Sequence, residues 1–263
     1  MLLIDLVNFG GSSMLDYVDA VVSARTMETI WPIHCEAMAK FGFNRIMYGM
    51  TRSRNPGALG SREDFLVLTN LEESYAEPFV DKGLYKHAPM MRHVLHNTGA
   101  ASWAWLSQNA SKLTPEEKAV MRFNAEHNVK AGYTISFLQI TPRTIAAMAL
   151  IADESVSQEA VDAMWENRGR EILALNNVFH LKVTQLPYTA ARKTLTKRQR
   201  ETFEWVGEGK TTQDIGIIMG LTPATVEKHL RLAREALDVE TTAQAVVKAS
   251  FQNQIFLVDG LDA

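Results

Sequence analysis

One device recurs four times between residue 195 and the end of the chain: a threonine followed by a short run in which apolar residues return at helical spacing. The threonines are Thr196, Thr211, Thr222 and Thr241. A hydroxyl at such a position accepts a hydrogen bond from a backbone N–H of the first turn, satisfying one of the donors that every helix start leaves open. Each threonine therefore predicts a helix N-terminus. Gln199 and Gln244 follow Thr196 and Thr241 at capping-box spacing, and Pro223 suits a first helical position after Thr222. Asp214 puts a carboxylate in the first turn after Thr211, near the positive end of the helix dipole. The apolar faces are Phe203 and Val206; Ile215, Ile218 and Met219; Val226, Leu230 and Leu237; and Ala245, Val246 and Ala249. Helices this short are marginal alone, so the four must pack on one another. Little more than Gly220-Leu221 separates the second from the third, which forces a sharp turn and projects the third helix outward, the geometry of a helix-turn-helix.

With 263 residues and 46% apolar content the chain is long enough for two ordinary domains. Residues 195–263 are expected to form one and residues 1–184 the other. Residues 185–194, where Pro187 breaks the helical pattern and basic residues accumulate, read as a linker. In the N-terminal part a long helical pattern over 14–41 carries Val18, Val21, Val22, Met27, Ile30, Trp31 and Met38. Strands are expected at 44–50 and 64–69 around a Gly-, Arg- and Pro-bearing loop over 51–62. Helices are expected over 71–82 and 85–96, followed by a loop with Trp103 and Trp105. Thr114-Pro115-Glu116-Glu117 then starts a helix that runs to about Asn128, with a capping box and a first-turn proline. Strands over 132–140 and 144–151 meet at the turn Thr141-Pro142-Arg143, and a helix over 157–184 closes the region. This order predicts an α+β N-terminal domain, an antiparallel sheet sandwiched by helices, ahead of an all-α four-helix helix-turn-helix domain.

Several function classes are excluded at this level. A single cysteine, Cys35, leaves no intramolecular disulfide and agrees with a reducing compartment. Its neighbours His34 and Glu36 face other directions on a helix, so packing is its expected role. Residues 1–10 are apolar but short, lack a leading positive charge and include Asp5, and no apolar run is long enough to cross a bilayer, so a cytoplasmic protein without a membrane partner is expected. There is no phosphate-binding glycine loop and no Gly-x-Ser-x-Gly elbow. His87, His93 and His96 fall near one helix face, but no cysteine or carboxylate accompanies them, and they read as exposed histidines. No catalytic residue, metal or cofactor is expected beyond a small-molecule signal.

Bulk charge gives no reason to expect nucleic acid, because the net charge is −3 and residues 195–263 hold 8 Lys and Arg against 10 Asp and Glu. Distribution does. Arg192, Lys193, Lys197, Arg198 and Arg200 fall within nine residues free of acid, and Lys228, Arg231 and Arg234 share one helix. Leu195-Thr196, Gly209-Lys210-Thr211, Asp214-Ile215, Thr225-Val226 and His229-Leu230 together resemble, in one ungapped register, the DNA-binding domain of LuxR-type regulators. The resemblance implies that Lys210, Thr211 and Thr212 touch phosphate at a helix N-terminus, and that Thr225, Lys228, Arg231 and Arg234 lie in or beside the major groove. Positions 224, 227, 228 and 231 share one helix face, with 234 one turn on. Glu227 departs from the family, which commonly places Lys or Arg there. A carboxylate facing phosphate is repelled unless it accepts from a cytosine amino group. Gln199 replaces the family's usual glutamate and keeps a capping side chain.

The N-terminal part, about residues 14–184, resembles the autoinducer-binding domain that precedes this domain in quorum-sensing members of the family. The family pattern is a Tyr and a Trp four residues apart, a second Tyr, an Asp-Pro pair, and a Trp fourteen residues after the proline. It aligns with Leu71, Tyr75, Phe79, Ala88-Pro89 and Trp103, and Gly132 fits the later glycine. The spacing is kept and the chemistry is changed. In the family the aspartate accepts from the amide N–H of an acyl-homoserine lactone and the tryptophan donates to the lactone carbonyl. The side chain of Ala88 can accept nothing, while Tyr75 retains a hydroxyl donor. An amide left without its partner costs roughly 1 to 3 kcal/mol. The resemblance thus implies a homodimeric regulator of transcription on palindromic double-stranded DNA, with an N-terminal domain that sets two DNA-binding domains over adjacent half-sites. Its ligand is expected to be a small molecule other than an ordinary acyl-homoserine lactone, or to be absent. RNA polymerase or a second LuxR-type regulator are further protein partners on this reading. The alternative is an anti-regulator that acts by forming inactive heterodimers with another LuxR-type protein.

Overall fold

The structure, a computed structural model, describes residues 14–52, 65–139, 141, 143–187 and 195–256. The expected loop over 51–62 beyond Arg52, Pro142 of the expected turn, Arg192 and Lys193 of the linker, and residues 1–10 lie outside the described residues. Two compact units divide between Thr184 and Gln185.

In the first unit five strands form one antiparallel sheet: β1 (Arg45–Thr51), β2 (Phe65–Thr69), β3 (Gly99–Ser102), β4 (Gly132–Ser136) and β5 (Ile145–Ile151), in the order β2-β1-β5-β4-β3. The register pairs Met47 with Ala149, Ala149 with Thr134, and Gly49 with both Val67 and Ala147, so these residues share one face. Tyr48, Met148, Ile135, Tyr133 and Leu150 alternate onto the other. That second face is covered by α2 (Met27–Ala39) and α7 (Gln158–Gln185), with α1 (Met14–Ser23) against them. Tyr48 meets Phe179 of α7 edge-on, and Tyr133 stacks on Trp165 at 3.9 Å. The first face is covered by short helical pieces: α3 (Glu73–Ala76), a π-turn (Glu77–Asp81), a 3-10 turn (Leu84–His87), α4 (Met91–His96), α5 (Ala104–Gln108) and α6 (Pro115–Glu126). The sheet is sandwiched by helices, as the element order predicted.

A buried polar node joins α1, α2 and α7. Asn176 Nδ2 donates to Ile172 O at 2.8 Å, which leaves Oδ1 to accept from His34 Nε2 at 3.2 Å. The proton is therefore on Nε2, and His34 Nδ1 accepts from the Tyr17 hydroxyl at 2.7 Å. His34 is fully buried and stacks on Phe179 at 4.0 Å. One turn along α7, His180 Nδ1 is 2.8 Å from the Tyr48 hydroxyl.

Three expectations about this unit are corrected. The helical pattern over 14–41 is two helices, because Thr26 turns extended (φ −135, ψ 160) and caps α2 by accepting from Thr29 N at 3.2 Å. The helix expected over 85–96 is broken at Pro89, which holds Ala88 extended at φ −67, ψ 127 and has no N–H to donate. The helix expected over 71–82 survives only as α3 and the π-turn, closed by Gly83 at φ +82. Strand β3, whose residues Gly-Ala-Ala-Ser have weak strand propensity, forms at the sheet edge by pairing with β4. Gly132 is required where β4 and β5 approach, since a Cβ there would strike the carbonyl oxygen of Leu150. The Thr114–Glu117 capping box is present, and Arg92 donates to both Glu117 oxygens at 2.7 and 2.6 Å.

In the second unit the four threonines cap α8 (Lys197–Gly207), α9 (Thr212–Met219), α10 (Pro223–Ala236) and α11 (Thr242–Phe251). Asp214 completes a third capping box with Thr211, beyond the dipole role expected of it. Phe203, Ile215, Val226, Leu230, Leu237, Ala245 and Ala249 form the core. Ile218, expected on the apolar face of α9, is 45% exposed, because Ile215 and Met219 already occupy the stripe that faces inward. Between α9 and α10, Gly220 at φ +66 lets Leu221 N donate back to Gly216 O at 2.8 Å, the tight stop of a helix-turn-helix.

The two buried histidines give the fold a defined response to acid. Burial lowers His34 from 6.5 to about 3, opposed by its Asn176 bond, and lowers His180 to about 4, helped by the Arg52 charge. Above pH 6.5 both are neutral in the folded and unfolded chain and change nothing. As pH falls below 6.5 the unfolded chain takes up protons that the native core refuses, so stability drops until each native pKa is reached. Urea unfolding at pH 5.5 should show stability lower than at pH 7.5 by roughly 2 to 3 kcal/mol from this pair. His34→Gln and His180→Gln should each remove about half of that difference; a stability equal at the two pH values would contradict the assignment.

Candidate ligand cavity and DNA-binding surface

Between the sheet and the helices α3 to α6 lies a cavity of about 160 Å³. The sheet contributes Met47, Gly49, Phe65, Val67, Thr134, Ala147 and Ala149, and the helical side contributes Tyr75, Phe79, Ala88, Met90, Met91, Val94, Trp103, Leu106, Met121 and Asn124. Two hydrogen-bonded polar pairs and Lys130 interrupt this apolar wall. The Tyr75 hydroxyl donates to Asn124 Oδ1 at 3.0 Å, and Trp103 Nε1 donates to Thr134 Oγ1 at 2.8 Å. Tyr75 also stacks between Phe79 at 5.1 Å and Phe123 at 5.2 Å, and burial raises its pKa so that the phenol stays protonated.

Of the five residues singled out in sequence, Tyr75, Phe79, Ala88 and Trp103 line this cavity. Leu71 does not; it packs, partly buried, against the same hydrophobic cluster from outside. The Tyr75 proton expected to be available to a ligand is given to Asn124, so a ligand carbonyl has to compete for it. Asn124 and Thr134 were missed from sequence. Thr134 is detectable in retrospect as the polar residue that β4 turns toward Ala149 and Met47, whereas nothing in the pattern of α6 marks Asn124.

In the second unit the start of α9 and the outer face of α10 meet. Lys210 is exposed just ahead of the Thr211 cap, and Thr212 opens the helix. Asp214 accepts from Thr211 N at 3.1 Å and from the Thr211 hydroxyl at 2.6 Å, bonds that hold its carboxyl below the usual range. Glu227 accepts from the Thr212 hydroxyl at 3.0 Å. Two carboxylates therefore lie at the helix end that the resemblance gives to phosphate. On α10, Ala224, Glu227, Lys228 and Arg231 are exposed on one face, while the Thr225 hydroxyl is 2.9 Å from that of Thr222. Arg231 donates to Glu235 at 2.6 Å, and Arg234 is drawn to Thr242 of α11 at 2.8 Å. Arg198, from the basic run, pairs with Glu201 at 2.8 Å.

The remaining sequence candidates are placed elsewhere. Burial raises the Cys35 thiol to about 11, the reverse of a reactive thiolate. His93 Nε2 lies 2.9 Å from Gly99 O, and among the described residues no group of three metal-ligating side chains converges. No helix among the described residues is long and apolar enough to cross a membrane.

A cavity domain ahead of a helix-turn-helix unit defines a transcription regulator with a small-molecule sensor. The model of the autoinducer binding domain matches residues 26–183, and that of the luxR family of bacterial regulatory proteins matches residues 193–249. The chain belongs to the LuxR family of quorum-sensing transcriptional regulators, which are not enzymes. The transcriptional activator AnoR of Acinetobacter nosocomialis is 23% identical over 235 residues, covering 89% of this chain and 95% of its own. The quorum sensing-dependent regulator RpaR of Rhodopseudomonas palustris is 24% identical over 239 residues, covering 91% and 93%. The structure of SdiA in complex with octanoyl-rac-glycerol superimposes with a TM-score of 0.51 at 14% identity, covering 91% of this chain and 93% of that one, a likeness of fold.

Glu227 gives this surface a direct test. Glu227→Gln keeps an acceptor for Thr212 and removes one negative charge from the expected phosphate site. Anisotropy titrations of non-cognate duplex should show tighter binding, with a slope of log K against log salt steeper by up to about one. An unchanged affinity and slope would show that Glu227 does not approach DNA.

Proposed function

We propose that this protein is a cytoplasmic, homodimeric regulator whose N-terminal unit, about residues 1–184, senses a small molecule other than an ordinary acyl-homoserine lactone. Residues 195–263 read a palindromic operator through Lys210, Thr211, Thr212, Thr225, Glu227, Lys228 and Arg231, with Arg234 bracing α10 on α11, and residues 185–194 link the two. The observation that carries the ligand reading is Ala88: a methyl group lines the cavity where the resemblance puts the carboxylate that accepts a lactone amide. Trp103 cannot replace that acceptor, since an indole N–H only donates, and Tyr75 offers a neutral hydroxyl oxygen in place of a carboxylate, its proton already given to Asn124. SdiA was captured with octanoyl-rac-glycerol, an acyl compound with no amide N–H, so the fold itself does not demand an amide acceptor.

Ala88→Asp tests this directly. It should raise affinity for an N-acyl-homoserine lactone by about tenfold or more, in line with a buried amide regaining its partner. An unmodified protein that carries such a lactone, found by mass spectrometry of denatured material from its host, would refute the ligand reading.

A second reading is the anti-regulator that forms inactive heterodimers. The observation favouring it is that Arg231 and Arg234 are engaged within the protein while Glu227 and Asp214 face the expected phosphate site. Gel-shift separates the two: specific retardation of duplex by the purified protein supports the regulator, and loss of a second LuxR-type protein's retardation on mixing supports the anti-regulator.

A further inference from the structure

A second space adjoins the apolar cavity. An open groove of about 580 Å³ shares Trp103, Leu106, Met121 and Lys130 with it. The chemistry changes across this shared wall. Among the described residues, Lys130 is the one charged side chain that lines the inner cavity, and no carboxylate does. The groove adds Lys118 and Arg122, one turn apart on α6, against the single carboxylate of Glu159. Lys118, Arg122 and Lys130 are exposed, and none has an ion-pair partner among the described residues. Arg92, by contrast, is held on Glu117 of the same helix α6.

An apolar chamber with Lys130 at its wall, beside a groove that carries Lys118 and Arg122, none of the three ion-paired among the described residues, matches one type of molecule. We infer that the ligand is an anionic amphiphile, a small apolar body ending in a carboxylate. The body lies among the methionines and alanines of the cavity, and the carboxylate lies at the mouth on Lys130, in the field of Lys118 and Arg122. This rests on the small-molecule reading of the N-terminal unit and names its ligand class. It accounts for the missing acceptor at position 88, because such a ligand brings no amide donor to be satisfied there. Met90, Met91 and Met121 in the wall adapt to bodies of differing shape, so the cavity selects by apolarity and the mouth by charge.

The test is calorimetric titration of the full chain at low ionic strength with octanoate, octanol and N-octanoyl-homoserine lactone, repeated for Lys130→Gln and for Ala147→Phe, a cavity-filling change whose fold is checked by circular dichroism. Octanoate should bind about fivefold or more tightly than octanol, the gain expected of a partly exposed charge contact. Lys130→Gln should remove most of that difference, added salt should shrink it, and Ala147→Phe should abolish binding. Octanol binding as tightly as octanoate, or a ratio unchanged in Lys130→Gln, would overturn the anionic assignment and leave the small-molecule reading standing. Binding by none of the three probes, or binding that persists in a folded Ala147→Phe protein, would overturn both.

Discussion

The N-terminal unit depends on an asymmetry of side-chain size across one sheet. On the face toward α7, strands β1 and β5 carry Ile46, Tyr48, Met50, Met148 and Leu150, all buried, and these fill the space against the helix. On the opposite face the paired positions include Gly49, Ala147 and Ala149, and a Cβ built on Gly49 meets nothing within 4 Å. A strand alternates its residues strictly, so large and small residues in alternation fill one side and leave the other hollow. The short helical pieces that roof this hollow leave a chamber because the sheet beneath them is low. The polar ties on the filled side, His34 with Tyr17 and Asn176 and His180 with Tyr48, fix the helices that hold the sheet flat against them.

The DNA-binding unit rests on a different economy. Its helices are short and its core residues include three alanines, Ala233, Ala245 and Ala249, so each helix end has to be satisfied locally. The threonine caps do this, and their recurrence made the unit readable before any tertiary information. What could not be read was the fate of the charged side chains. Spacing put Lys228, Arg231 and Arg234 on neighbouring positions of one helix, but it could not show Arg231 bonded to Glu235, Arg234 turned to Thr242, or Glu227 reaching across to Thr212. Such contacts depend on side-chain reach between elements, and periodicity carries no information about it.

The same division holds for the first unit. The principal strands, the Thr114 capping box and the closing helix follow from local chemistry, and the structure contains each of them. Thr26 interrupts an otherwise unbroken helical pattern, and Pro89 divides an expected helix, two cases in which one residue's backbone preference outweighed the apolar period. The cavity wall was legible where a family pattern could be aligned, at Tyr75, Phe79, Ala88 and Trp103. Asn124 and Lys130 entered only with the fold, because α6 and the segment before β4 come to that wall through contacts distant in sequence.

The buried node of His34, Tyr17 and Asn176 has a consequence for the order in which the chain assembles. His34 and its partner Asn176 are 142 positions apart, and the central strand β5 pairs back with β1 from Arg45↔Ile151 to Thr51↔Ile145, so the first unit closes only after α7 has been synthesised. The second unit packs α10 on α8, α9 and α11, so its core contacts lie within residues 195–256 and span shorter stretches of chain than the closure of the first unit. In a chain made from its N-terminus, the sensor therefore begins its long-range closure only when α7 emerges, shortly before the helices of the DNA-binding unit.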